Sequence, residues 1–316
     1  MIVKYKKRRP TAEEKSEWRR LRKKEGRFMR RQEQTAYIFI AAPMVLFILF
    51  TLLPTIMSFP LSFTNYDVIQ KHDFVGLKNY VTMFSDTLFW KYMGNTVFYS
   101  ILFVPICFAV SLFTAMLLSR AKFGVAMFRL CFYFPVVSSA VAYATIWLWL
   151  LNPQSGAVNV ILSKFGIMGP AWLQDSNYAM IAIVIITVWA NIGTNMMIFL
   201  AGLKDIPVHL YESARIDGAN GFQEFISITL PGLGPTIFFV SVILIIQALQ
   251  LFDQVFVLTQ GGPGGSTKPI VYYIYDEGFG LLKMGYASAI SFVLFVVIML
   301  ASLLNMRFNK DSSQLV

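Results

Sequence analysis

Two cysteines and two histidines in 316 residues leave little material for thiol or metal chemistry. Cys107 and Cys131 both fall in apolar runs. With the runs laid across a bilayer, these two lie about 18 Å apart in depth at 1.5 Å per residue, so no disulfide is expected and both should pack. A metal centre needs more ligands than these and the distant His72 and His209 provide. Charge is also scarce, at 14% of residues against the roughly 25% usual in soluble domains. Six long apolar stretches contain no Asp, Glu, Lys, Arg or His at all. That absence excludes paired carboxylates, a Ser-His-Asp set or a metal cluster at membrane depth, and with them a membrane-embedded enzyme. It also removes the buried acid or histidine on which proton-coupled carriers usually depend.

What fills the chain instead is hydrophobic residues, 56% of the total. Roughly 20 mainly apolar residues cross a bilayer as a helix. Residues 36–59, 95–118, 130–151, 179–201, 236–252 and 285–306 each satisfy that length and composition, which predicts an all-α membrane protein of six transmembrane helices. The fifth stretch is the shortest, with Pro231 and Pro235 just ahead of it. The first is too long for a cleaved signal sequence, is interrupted by Pro43 and Pro54, and is followed by no small-residue cleavage site.

A net charge of +10 would fit a nucleic-acid partner only if the cations were spread over a folded surface, and they are not. Fourteen of the 27 Lys and Arg lie in the first 31 residues, directly before the first apolar run. With the amino terminus inside, 21 of the 27 fall on the cytoplasmic side, among them Arg120, Lys122, Arg129, Lys204, Arg215, Arg307 and Lys310. That asymmetry places both termini in the cytoplasm. The chain therefore divides into a basic segment at 1–35, a membrane domain at 36–306 and a short tail at 307–316. Thr11 and Glu14 have capping-box spacing, so the basic segment reads either as a short helix on the anionic leaflet or as a solvated topology signal.

The outer loops, about 60–94 and 152–178, mix aromatics with Gly, Asn and Asp and read as ordered caps. Gly261 to Lys268 looks like a phosphate cradle, but it lacks the G-x-x-x-x-G-K-[ST] spacing and reads as a tight turn. The cytoplasmic loop at about 203–231 is too long and too patterned for a connector. Leu210, Ala214 and Asp217 share one side of a short helix after Pro207. Gly218 and Gly221 then break it, and Phe222, Phe225 and Ile226 begin a second apolar stripe that Pro231 ends. Two short helices meeting at a glycine corner are predicted.

Glu212, Ser213, Ala214, Gly218, Ile228, Leu230 and Pro231 fall at the spacing E-A-A, three residues, G, nine residues, I-x-L-P, with Ser213 in place of the first Ala. This resembles the signature of the inner-membrane permease subunits of binding-protein-dependent ABC importers. Leu258 to Gly264 and Met284 to Ala289 are similar to the carbohydrate-uptake branch, the maltose, oligosaccharide and glycerol-3-phosphate permeases. The resemblance covers about residues 36 to 306, without the large outer insertion of the maltose-type first subunit.

The resemblance implies a type I ABC importer permease fold with a cytoplasmic coupling helix that carries Glu212, Ser213, Ala214, Asp217, Gly218 and Ala219. It implies a second related permease, two cytoplasmic ATPase subunits that hold the ATP and Mg, an external solute-binding protein, and a sugar or oligosaccharide substrate. No cofactor would be bound by this chain. Glu212 would face a basic partner, Ala214 and Gly218 would allow close approach, and Asp217 would cap or pair locally.

A neutral, hydroxyl-rich solute needs uncharged hydrogen-bonding groups and aromatic faces along its path. Trp189, Asn191 and Asn195 in the fourth stretch, Gln247 and Gln250 in the fifth, and Asp253 at its end are the candidates. The same amides would serve equally as helix-to-helix hydrogen bonders. Tyr143, Trp147 and Trp149 read as packing or interfacial aromatics. The competing function is an ion-coupled secondary transporter of a small polar solute, with sodium held by neutral oxygens.

Overall fold

The computed structural model describes residues 35–309 apart from 38, 68–72 and 122. Residues 1–34 of the basic segment, with the Thr11–Glu14 box, and His72, Lys122 and Lys310 lie outside the described residues. The chain forms two compact units, 1–60 and 61–316. The first contributes one apolar helix, α1 (Thr35–Leu61), of mean hydropathy 2.5. A π-helical turn at Ile48–Leu52, closed by the Leu53 N–H on the Ile48 carbonyl, precedes Pro54. Proline has no N–H and crowds the carbonyl four residues back, and the wider turn absorbs that misfit without ending the helix.

In the second unit the regular secondary structure of the described residues is helical, joined by turns and loops, with one isolated bridge between Thr64 and Phe74. In chain order the helices are α2 (Lys78–Ser85), α3 (Thr87–Arg120), α4 (Val125–Val137), α5 (Ala140–Leu150), α6 (Ala157–Lys164) and α7 (Ala179–Asp205). They continue as α8 (Val208–Ile216), α9 (Gly221–Gly232) and α10 (Gly234–Leu249). The last three are α11 (Asp253–Leu258), α12 (Ile270–Tyr275) and α13 (Met284–Asn309). Among the described residues, α1, α3, α7 and α13 are long and apolar enough to cross a membrane unbroken. The pairs α4–α5 and α9–α10 bring the count to six if each is taken as one bent span.

The third apolar stretch is therefore not the single helix that its composition predicts. It bends by 100° between α4 and α5. Ser138 and Ser139 both adopt extended ψ values, 142° and 138°, so they cannot carry the helix across the break. The fifth stretch also stops early. The arm α9 and the span α10 meet at 70° around Leu233, which is fully buried.

Helix α7 is the centre of the bundle, with 67% of its most apolar window buried. It packs on α3 and α4, while α10 packs on α3 and α13. Ile183, Ile186, Met196 and Phe199 from α7 meet Tyr99 and Phe103 from α3 and Leu244 from α10 in one core. Lipid tails are as apolar as these side chains, so association depends on close fit more than on expelling water. Small residues supply it: a Cβ on Gly193 of α7 would overlap the Phe132 carbonyl of α4, and one on Gly202 would overlap Thr236 Oγ1 of α10. Cys107 is buried in this core, whereas Cys131 on α4 is exposed, which corrects the expectation that both pack.

Candidate functional site

Roughly midway along α3 and α7 lies a cavity of about 300 Å³. Its polar lining is Thr187 and Asn191 from α7, Gln247 from α10, and Gln250, Asp253 and Gln254 around the gap between α10 and α11. Helix α10 ends at Leu249, and Phe252 takes φ −148°, ψ −65° before α11 starts. An interrupted helix leaves its last carbonyls without intrahelical partners, so the break adds backbone acceptors to the side-chain amides. Tyr99 and Phe103, stacked with ring centroids 5.2 Å apart, form the aromatic wall.

Four of the six residues proposed for a solute path thus converge: Asn191, Gln247, Gln250 and Asp253. Asn195 does not line the cavity. It is 1% exposed, donates to the Asn191 carbonyl at 2.9 Å and to Cys107 Sγ at 3.8 Å, and its Oδ1 has no hydrogen-bond partner. Trp189 also lies outside the lining, in edge contact with Tyr143 and Trp147 at 6.0 and 5.6 Å. Tyr143 in turn accepts from Gln254 Nε2 at 2.8 Å, which ties the aromatic group to the cavity wall. Thr187 and Gln254 escaped the sequence reading. Thr187 stands four residues before Asn191 and is legible as part of that stripe, whereas only the fold places Gln254.

At the C-terminal ends of α3 and α7 the chain turns through α8 and α9. Pro207 precedes α8, and Gly218, at φ +81°, makes the corner. Asn220 then caps α9, accepting from the Phe222 and Gln223 N–H groups while Gln223 Oε1 accepts from the Asn220 N–H. Asn220 is therefore the side-chain cap of α9, while Asp217 occupies the C-cap position of α8 through its backbone N–H, its side chain exposed. Arg215 on α8 reaches Glu224 on α9 at 2.8 Å, and this hydrogen bond, then the Glu224 charge, hold the guanidinium above its ordinary value. Tyr211 Oη meets Thr229 Oγ1 at 3.0 Å. Glu212, Ser213 and Gly218 are exposed, and Ala214 and Ala219 are half-buried. Val208, Ile216 and Phe222 stand 69%, 87% and 71% exposed, an apolar surface that water alone would not favour.

The opposite end is pinned by polar contacts. Asn95 donates to the Gly265 and Lys268 carbonyls, both at 2.9 Å, and Lys91 to the Gly264 carbonyl at 2.8 Å, so the glycine-rich turn is clamped to the start of α3. Asp86 accepts from Leu88 N–H, Tyr273 Oη and Tyr286 Oη. Burial pushes its carboxyl up, but those hydrogen bonds outweigh burial and leave it below its ordinary value. Burial and the bond to Asp86 push Tyr273 the other way, upward.

The comparisons with known proteins agree with this architecture. The family described as binding-protein-dependent transport system inner membrane component matches residues 27–313. The chain is 35% identical over 89% of its length to the probable ABC transporter permease protein YesP of Bacillus subtilis (strain 168), 92% of which is covered. It is 34% identical over 85% of its length to the lactose transport system permease protein LacF of Rhizobium radiobacter, covering 91% of that protein. Among solved structures, a bacterial ABC transporter involved in the import of the acidic polysaccharide alginate superposes with a TM-score of 0.78 at 24% identity, over 89% of this chain and 96% of that one. This chain belongs to the family of inner-membrane components of binding-protein-dependent transport systems. It is a multi-pass membrane protein and a transport permease subunit, which sets aside the ion-coupled carrier.

Proposed function

We propose that the chain forms half of the translocation pathway of an ATP-driven importer for a neutral sugar or oligosaccharide, moved by alternating access. A second related permease completes the pathway, two cytoplasmic ATPase subunits bind ATP and Mg, and an external binding protein delivers the solute. Both termini lie in the cytoplasm, and the chain has no ATPase site of its own. The observation that carries this reading is the mid-bundle cavity: its polar lining is made of amides, a hydroxyl and one carboxylate, with no cation. An anionic solute would meet Asp253 with no counter-charge, whereas sugar hydroxyls would find donors and acceptors at Asn191, Gln247, Gln250 and Gln254, and sugar C–H faces would pack on Tyr99 and Phe103. Relatives named for lactose, multiple sugars and arabinooligosaccharides support the class of solute.

In this reading Glu212, Ser213, Ala214, Asp217, Gly218 and Ala219 form the ATPase contact. The exposed apolar side chains beside them supply its buried area, and the Arg215–Glu224 pair makes the corner move as one piece. Reconstitution of the purified complex in liposomes tests both halves. Uptake of a neutral saccharide should require ATP and the loaded binding protein, and a Cys at position 212 should react from the cytoplasmic side. Purification of a transport-competent protein without any nucleotide-hydrolysing subunit would overturn the assignment.

A further inference from the structure

Between the α8–α9 corner and the ends of α3 and α7 lies a second cavity, of about 600 Å³, which shares no lining residue with the solute cavity. One wall is a stripe of α3. Phe113, Met116, Leu117 and Arg120 line it at positions i, i+3, i+4 and i+7, so three apolar side chains run along one helical face and end in a guanidinium. Helix α7 adds Leu203 and Lys204 beside them. The corner closes the far side with Tyr211, Arg215, Phe222 and Glu224.

The charges do not balance. Glu224 is answered by Arg215. Arg120 and Lys204 make no ion pair among the described residues, and both line the space. Two cations without an ion pair among the described residues, one at the end of α3 and one at the end of α7, above the apolar stripe of α3, match the chemistry of an anionic phospholipid: phosphate at the rim, acyl chain below. A free phosphate would use the cations and leave Phe113, Met116 and Leu117 without a partner. The volume is within the range of sites for small molecules, and it suits a headgroup with the upper part of one chain.

We propose that this cavity binds an anionic membrane phospholipid, its phosphate between Arg120 and Lys204 and its acyl chain along Phe113, Met116 and Leu117. The assignment needs only the helices to lie in a membrane and is independent of which solute is carried. The test is native mass spectrometry of the intact transporter complex purified from nanodiscs of mixed phosphatidylglycerol and phosphatidylcholine. Wild type should retain phosphatidylglycerol preferentially, and R120Q/K204Q should lose about thirtyfold of that preference, since two cations are removed and each near the surface contributes on the order of 1 kcal/mol. Leu117→Trp, which fills the apolar part and leaves both cations, should lower retention as well, with the complex still monodisperse. Inorganic phosphate at millimolar concentration should not displace the lipid. Equal retention of the two lipids by wild type, unchanged retention in the double variant, or displacement by phosphate alone would each overturn the proposal.

Discussion

The Arg215 guanidinium and the Glu224 carboxylate meet at 2.8 Å across the Gly218 corner, the arginine side chain largely in solvent and the carboxylate almost fully covered. The pair is therefore asymmetric. Removal of Glu224 leaves a cation that water can solvate, whereas removal of Arg215 leaves a buried charge unanswered. Arg215→Ala should lower solute-stimulated ATP hydrolysis more than Glu224→Ala, and Glu224→Gln should partly rescue Arg215→Ala. Equal effects of the two single variants, measured in the reconstituted complex, would contradict this account.

Within this chain a Cβ on Gly218 meets nothing within 4 Å, so the intrachain cost of a side chain there is the backbone conformation alone. The left-handed conformation costs an L-residue roughly 1–2 kcal/mol, less for Asn and more for β-branched side chains. Binding-protein-dependent uptake should fall in the order Gly, Asn, Val at this position. A valine variant with wild-type uptake would show that the corner's dihedral angle is immaterial.

The two amides Gln250 and Asn195 should separate by readout. Gln250→Leu removes hydrogen-bonding capacity from the cavity and should shift relative uptake among saccharides by up to about tenfold, in line with about 0.5–1.5 kcal/mol per hydrogen bond. Asn195→Leu should leave selectivity unchanged and alter thermal stability by less than about 1 kcal/mol, since it replaces an amide that is already incompletely bonded. Competition uptake assays and thermal unfolding distinguish the two outcomes.

Asp86 and Tyr273 set a pH window at the opposite end of the bundle. The folded carboxyl lies below its ordinary value of 3.8, so its contribution is present above that pH and fades as pH falls further. Tyr273 lies above its ordinary value of 10.0, so its contribution holds up to that pH and is lost as pH rises through the folded value. Asp86→Asn should flatten the acid limb of a stability profile in detergent, and Tyr273→Phe the alkaline limb. An acid limb of the same slope in Asp86→Asn would assign that limb to other carboxylates.

Hydrophobic run length was enough to read the apolar segments and the helical class, because membrane thickness imposes it. The corner was legible too, since Pro207, Gly218 and Gly221 are local signals. The bends were not. Ser138 and Ser139 carry no strong breaking signal of their own, and the interruption after Leu249 depends on packing against α5 and the neighbouring helices, which one sequence does not display. The same limit explains the solute path: Asn191 and Asn195 share a helical side in projection, but α3 covers one through Cys107 and leaves the other open. Trp189 met its partners on α5, a helix whose direction the sequence left undetermined.

Leu233 joins α9 to α10 and is sealed against water. The flanking glycines keep that joint narrow, because a Cβ on Gly232 would press on Ile206. A seated joint of this kind works as a fulcrum: the arm extends about 18 Å from it at 1.5 Å per residue. A tilt of only about 5° at that point corresponds to about 1.6 Å at the arm's far end, so an atomic-scale displacement of the corner reaches α10 as a small rotation without any helix having to unwind.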